Sequence, residues 1–145
     1  MAKQPDDPYA LLVADVYHVA GEMRRNGERI AATAGQTQAR WQLMSVVSEG
    51  DWTVADAARR LGVSRQGVQR VADELVAEGL ASYTLNPRHQ RSPHLRLTER
   101  GQSALVTITA AARRANQRMV RLLSDEELAK TRAVLRRIIT ALEGS

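Results

Sequence analysis

The 145-residue chain contains no cysteine. Disulfides, thiolate metal sites and cysteine-based redox sensing are therefore excluded, and nothing in the composition points to secretion. No apolar run approaches the ~18 residues that a membrane span needs. The opening MAKQPDDPYA is polar and acidic, unlike a signal peptide. The expected location is the cytoplasm. Lysine is almost missing: among 21 basic residues Lys3 and Lys130 are the only two, which leaves 19 arginines. The chain also lacks a glycine-rich phosphate loop, a nucleophile elbow, an internal repeat and a low-complexity tract. Its three histidines, His18, His89 and His94, offer no pair at helical metal-ligand spacing and lie near no carboxylate cluster. The adjacent acids Asp73–Glu74 and Glu126–Glu127 would point to different sides of a helix. Neither catalysis nor a metal or other cofactor is expected.

What is present suits one domain with a real core, since 145 residues is close to the commonest domain size. The net charge of +5 and pI near 10.4 suggest an anionic partner, though many basic proteins bind none. The arginine excess has two sources to weigh. One is codon bias in a GC-rich genome. The other is chemistry, because guanidinium forks fit phosphate and guanine edges better than ammonium does. Position along the chain must decide between them.

Most of the chain reads as helix. From residue 8 to about 33, apolar side chains recur at Leu12, Val16, Val19 or Ala20, Met23 and Ile30, the 3.6-residue period. Gly35 ends that stretch. Thr37 caps a second helix that carries Trp41, Met44 and Val47 on one side and stops before Gly50. Thr53 starts a short third helix through Arg60, with Asp56 placed for a capping box, and Gly62 breaks it. Ser64 caps a fourth helix with an apolar face of Val68, Val71, Leu75 and Val76, ended by Gly79. The period then changes. ASYTLN (81–86) and HLRLT (94–98) read as strands joined by PRHQRSP, a loop bracketed by Pro87 and Pro93, which makes a long-looped hairpin. Thr98 caps a long fifth helix, and Ser124 with Glu127 forms a capping box for the sixth.

The fourth helix divides its chemistry from front to back. Arg65, Gln66, Gln69 and Arg70 crowd its first turns, while Val71, Leu75 and Leu80 follow. Two short helices joined by a tight Gly62–Val63 turn form a helix-turn-helix, whose second helix pushes its N-terminal end into the DNA major groove. Only the first turns reach base edges there, and the rear must pack on the protein. Arginine forks onto guanine and glutamine onto adenine, and the cap at Ser64 leaves backbone N–H groups free for a phosphate. A solvated polar face on an ordinary surface helix would explain these four residues equally well if they stood alone. They do not. Arg88, His89, Gln90 and Arg91 sit together at the hairpin tip with no acid among them, and residues 86–100 hold four arginines against one glutamate. A hairpin tip with unpaired arginine, directly after a helix-turn-helix, is a wing suited to the minor groove, whose narrow form concentrates negative potential. Arg40 and Thr53, at helix starts, are further candidates for phosphate contacts.

With these pieces in place, TQARW (37–41), VADAARRLGVSRQGVQRVADELVAEGLA (54–81) and NPRHQRSPHLRLTERG (86–101) resemble the MarR family of bacterial winged-helix regulators. The last segment is the most specific, because it keeps a wing arginine, Arg91, ahead of the Leu97–Thr98 pair. The resemblance implies a homodimer that binds a pseudo-palindromic operator on double-stranded DNA, usually as a repressor and often released by small aromatic or phenolic ligands. Two positions depart from the family. An acid usually stands two residues before the wing arginine, where this chain has His89, which implies a looser or pH-sensitive tip. Gly67 replaces a larger residue and costs roughly 1 kcal/mol of helix propensity relative to alanine.

A dimer is also expected from periodicity. Leu105, Ile108, Ala112, Ala115, Met119 and Leu122 on the fifth helix step by three and four residues, as do Leu128, Thr131, Leu135, Ile138 and Leu142 on the sixth. Such narrow seams suit helix pairing. These stripes and that of the first helix exceed what one small winged-helix core can cover, so a second subunit is the simplest outlet, an intrachain bundle the alternative. The expected fold is thus mainly α, an α+β winged helix of six helices with one β-hairpin wing. Its parts are an N-terminal dimerisation helix (1–36), a winged helix-turn-helix DNA-binding domain (37–100) and C-terminal dimerisation helices (101–145). An effector would lodge where dimer helices meet the winged part, with Tyr17, His18, Trp41 and Met44 as lining candidates, although a tryptophan at that position is more often core. Two function classes remain on sequence alone: a dimeric sequence-specific DNA regulator, and a winged-helix interaction module without sequence-specific DNA binding.

Overall fold

The computed structural model describes residues 7–145. The part of the signal-peptide reading that rests on residues 1–6 lies outside them. In chain order the elements are α1 (Pro8–Thr33), α2 (Gln38–Val47), β1 (Trp52–Thr53), α3 (Val54–Leu61), α4 (Arg65–Ala77), β2 (Ala81–Thr84), β3 (His94–Leu97), α5 (Glu99–Leu122) and α6 (Asp125–Glu143). The fold is the expected winged helix with six helices. The chain divides into two compact units, one up to Ala112 and one from Arg113 to Ser145.

Short-range chemistry sets the helix starts. Asp7 accepts from the Tyr9 amide with Pro8 in the first turn of α1, and Thr37 accepts from the Arg40 amide at α2. Thr53 and Asp56 form a reciprocal capping box at α3, and Ser64 accepts from the Gly67 amide at α4. Hydrogen bonding from Thr53, with Arg59 adding its own, holds the Asp56 carboxyl below the usual carboxylate range. That lowering stabilises α3 above the ordinary carboxylate pKa and is lost as pH falls through the lowered value. Between α3 and α4 the chain reverses at Gly62, whose φ of 68° and ψ of 33° are left-handed and cost a side-chain-bearing residue energy.

The first unit's core is continuous. Leu43 and Met44 of α2, Leu75 of α4, Leu95 of β3 and Ile108 of α5 are its largest fully buried side chains, each contributing roughly 1.5–3 kcal/mol by its removal from water. Val54, Ala57 and Ala58 of α3, Val68 and Ala72 of α4 and Ile30 of α1 close around them. The helix-turn-helix is therefore anchored by its rear face, which leaves the front of α4 outside.

The sheet has three strands in the order β1-β3-β2, both pairings antiparallel. Sequence periodicity shows only two of them. β1 is two residues long, too short for any alternation, and joins the sheet by placing Trp52 opposite Leu95. The expected strand 81–86 stops at Thr84, where Leu85 turns to solvent and Asn86 turns inward. Thr98, expected in the second strand, leaves it. Its amide donates to the Leu80 carbonyl and its hydroxyl to the Gly79 carbonyl, while that hydroxyl accepts from the Gly101 amide to cap α5.

In the second unit, Ser124 and Glu127 form the expected capping box of α6. No residue of α6 is buried, and Leu128, Val134, Leu135, Ile139 and Leu142 are exposed. The expected seam on α5 divides: Ile108 and Ala112 belong to the first unit's core, whereas Met119 and Leu122 are exposed. No helix among the described residues is long and apolar enough to cross a membrane.

Candidate nucleic-acid interface

The front of α4 presents the four polar side chains singled out above. Arg65, Gln66 and Arg70 are exposed and Gln69 is half-buried, while Val68, Ala72 and Leu75 on the opposite side are core. Arg65, Gln66, Gln69 and Arg70 line one open face together with Asp73 and Glu74. Ser64 is exposed at the tip of the helix, its hydroxyl engaged by the Gly67 amide at 3.1 Å. A β-carbon at Gly67 would stand 3.0 Å from that hydroxyl, so the glycine keeps the cap uncrowded.

The hairpin loop is organised by a residue that the strand pattern conceals. Asn86 is 6% exposed. Its side-chain amide donates to the Ser92 carbonyl at 2.9 Å, and its side-chain oxygen accepts from the Arg88 amide at 3.1 Å. Its own carbonyl accepts from the His89 amide, and the His89 carbonyl accepts from the Ser92 amide. These bonds fold the tip without the acid that the resemblance would place at position 89, and they leave Arg88, His89, Gln90 and Arg91 exposed. The signal that could have found Asn86 is the Asn-Pro dipeptide at 86–87, a turn initiator.

Wing and helix meet on one side of the unit. Thr53, Arg65, Gln69, Tyr83 and Arg91 line a single small cleft. Among the described residues, none of Arg65, Arg70, Arg88 and Arg91 takes part in an ion pair, whereas Arg59 is paired with Asp56 and Arg96 with Asp51. Free guanidinium groups thus stand at the helix front and at the wing tip together. Beside them, Gln69, Asp73 and Tyr83 are joined by hydrogen bonds from α4 to β2. Burial pushes the Tyr83 phenol up, and its bond to the Asp73 carboxylate pushes it further, so it stays protonated at neutral pH.

Arg40 is placed differently from the expectation. It is 9% exposed, with Nε 3.7 Å from Glu74, Nη2 2.5 Å from Glu78 and Nη1 3.2 Å from the Gln36 side-chain oxygen. Its guanidinium ties α2 to the C-terminal end of α4 and is engaged by these acids rather than free for a phosphate. The two acids, Glu74 and Glu78, lie far along the chain, which is why the start of α2 alone misled. Thr53 is half-buried, its hydroxyl accepting from the Asp56 amide at 3.1 Å, and it lines the cleft.

The four residues considered for an effector differ in exposure. Met44 is fully buried and presents no surface, and Trp41 packs half-buried against the core. Tyr17 is 75% exposed on α1. His18, exposed beside it, has Nε2 3.8 Å from Glu22. No group of three or more histidine, aspartate or glutamate side chains among the described residues is arranged to hold a metal ion.

Comparison with known proteins adds four findings. A sequence model of the MarR family matches residues 34–92. The Mycobacterium tuberculosis protein Rv2011c, described as uncharacterized, is 54% identical over 137 residues, covering 94% of this chain and 96% of its own. Among solved structures, mutant MarR from E. coli complexed with operator DNA superposes with a TM-score of 0.77 at 17% identity, covering 94% of this chain and 99% of that one. CouR from Rhodococcus jostii RHA1 bound to p-coumaroyl-CoA superposes with a TM-score of 0.78 at 19% identity, covering 94% and 95%. At such low identity the two superpositions speak for the fold.

Proposed function

The chain belongs to the MarR family of winged-helix, DNA-binding transcription regulators, and from that premise we propose that it is a homodimeric repressor of a pseudo-palindromic operator in the cytoplasm. The observation that carries this proposal is the shared cleft of Arg65 and Arg91, which sets the helix front and the wing on one side. A duplex lying across that side offers its major groove to Arg65, Gln66, Gln69 and Arg70 and an adjacent minor groove to the wing cations Arg88 and Arg91, with His89 and Gln90 beside them. Ser64 and Thr53, at the starts of α4 and α3, are assigned to the flanking phosphates.

Pairing with a second copy is supported by the bare apolar side chains of α6 and, separately, by Leu11, Val16, Val19 and Met23 on α1, since unpartnered apolar surface of this kind marks an interface. On this proposal residues 1–36 and 101–145 are the dimerisation segments and 37–100 the DNA-binding domain. A two-fold axis then sets the recognition helices about 34 Å apart, one turn of DNA. Release by a small aromatic effector completes the proposal, supported by the relative whose structure holds p-coumaroyl-CoA. An effector shifts operator affinity by the difference in its affinity for two dimer arrangements. Tyr17, His18 and Trp41 have surface to offer it, whereas Met44 is buried.

Electrophoretic mobility shift on the DNA upstream of the protein's own reading frame, at physiological salt and with excess competitor, tests this function. A specific regulator keeps a discrete complex. A winged-helix module that merely attracts anions loses its complex steeply as salt rises, because released counterions supply all of its affinity. That second result would remove the regulator proposal.

A further inference from the structure

Gln69 stands in the recognition face, yet its amide is not free. Its side-chain nitrogen donates to Oδ1 of Asp73 at 3.0 Å and to the hydroxyl of Tyr83 at 2.7 Å, while that hydroxyl donates to Oδ1 of Asp73 at 2.9 Å. The direction of each bond follows from the groups themselves. An ionised carboxylate only accepts. Asp73 therefore demands a hydrogen from both neighbours. The phenol has one hydrogen and gives it to Asp73, so towards Gln69 it can only accept. Gln69 must then turn its NH2 group inward, and both of its hydrogens are used. Its side-chain oxygen has no donor among the described residues.

We propose that Asp73 and Tyr83 are specificity-setting residues, which lock Gln69 into presenting an acceptor and no donor to the DNA. This rests on the regulator function proposed above. A free glutamine makes two bonds to adenine, accepting from the N6 amino group and donating to N7. The locked side chain keeps the first bond and loses the second. It therefore accepts equally from the amino group of adenine or of cytosine, and it opposes guanine and thymine, which offer it acceptors at O6 or O4. Each half-site thus carries one position read as amino base against keto base rather than as a single letter. The lock joins α4 to β2, the strand that leads into the wing, so this reader and the wing are fixed relative to one another.

Selection from a randomised duplex library reads the effect. Gln69→Ala identifies the position by flattening it. The parent protein should enrich adenine and cytosine there alike, each over guanine or thymine by about fivefold or more. Tyr83→Phe releases one amide hydrogen and should weaken that preference severalfold. Asp73→Ala removes the group that forces the NH2 inward. Tyr83 can then donate to the Gln69 oxygen, the NH2 faces the groove, and the preference should move towards guanine and thymine. A second measurement needs no DNA. The Gln69 side-chain amide, identified by its loss from the 15N spectrum of Gln69→Ala, should exchange with solvent more slowly than that of exposed Gln102. Asp73→Ala should abolish the difference and Tyr83→Phe should reduce it. An enriched motif whose Gln69 position is a single letter, or is unmoved by both variants, overturns the lock, as does a Gln69 amide that exchanges as fast as that of Gln102. A parent protein that enriches no motif while its Gln69 amide is slow to exchange defeats the regulator function instead, and the specificity role falls with it.

Discussion

Gly101→Ala should destabilise the first unit by about 3 kcal/mol or more, the largest effect expected of any single added methyl group here. A β-carbon at position 101 would stand 1.9 Å from the Leu80 carbonyl oxygen and 2.9 Å from its carbon. Both obstructing atoms are backbone, so no rotamer change relieves the clash. The Leu80 oxygen is also the acceptor for the Thr98 amide, and the Thr98 hydroxyl holds the Gly101 amide and reaches the Gly79 carbonyl. Moving the helix away therefore breaks the cap of α5 along with its contact to the end of α4. Ile108, one of the largest fully buried side chains, sits two turns further along the same helix and would be dragged with it. Urea unfolding of the variant, with Gln102→Ala on the exposed side as the control, measures the effect. A variant within 1 kcal/mol of the parent would show that α5 is not seated as described, given that such proteins are stable by only about 5–15 kcal/mol.

Arg65→Ala and Arg91→Ala should both impair operator binding, and in different ways. Arg65 lies in the first turn of α4, exposed and outside any ion pair among the described residues. A guanidinium there forks onto guanine, and its loss should relax one base pair per half-site by about 1–3 kcal/mol, roughly doubled across two half-sites. On the proposed wing contact, Arg91 contributes a cation in a groove whose potential is attractive whatever the bases. Its loss should weaken binding to all sequences by a similar factor and lower the salt dependence by about one counterion per wing. The two variants therefore separate in a comparison of selection profile with salt slope. If Arg65→Ala leaves the profile unchanged, α4 does not read bases through that residue. If Arg91→Ala leaves affinity unchanged, the wing is not a DNA contact.

Much of the fold was legible because its signals are short-range. The Thr53–Asp56 and Ser124–Glu127 boxes, the Ser64 cap and the Gly62 reversal involve residues at most five apart, and they lie where the sequence places them. What escaped depends on distant partners. β1 exists because Trp52 and Thr53 pair with Leu95 and His94. Arg40 looks like a helix-start cation until the fold brings Glu74 and Glu78 to it. Asn86 reads as the last residue of an alternating strand, yet its side chain closes the loop onto Ser92. The candidate site divides in the same way. Arg65, Gln66, Gln69 and Arg70 were visible as a polar front on an apolar helix, and Arg88 to Arg91 as a tip without acids. That Arg65 and Arg91 share a cleft is a property of the folded chain, and so is the Tyr83–Asp73 clasp that holds the Gln69 amide.

The absence of cysteine allows a direct measurement, because any cysteine introduced is unique. Gln66→Cys at the helix front and Gln90→Cys at the wing tip, both exposed positions, would each carry an iron–EDTA group that cleaves nearby DNA. If one face of each subunit holds both elements and a two-fold axis presents two such faces to one duplex, each conjugate cuts the operator at two symmetric places. The half-sites should lie about 10 base pairs apart, with the helix conjugate cutting in the major groove and the wing conjugate in a neighbouring minor groove. Cleavage from only one of the two positions, or at a single half-site, would contradict it.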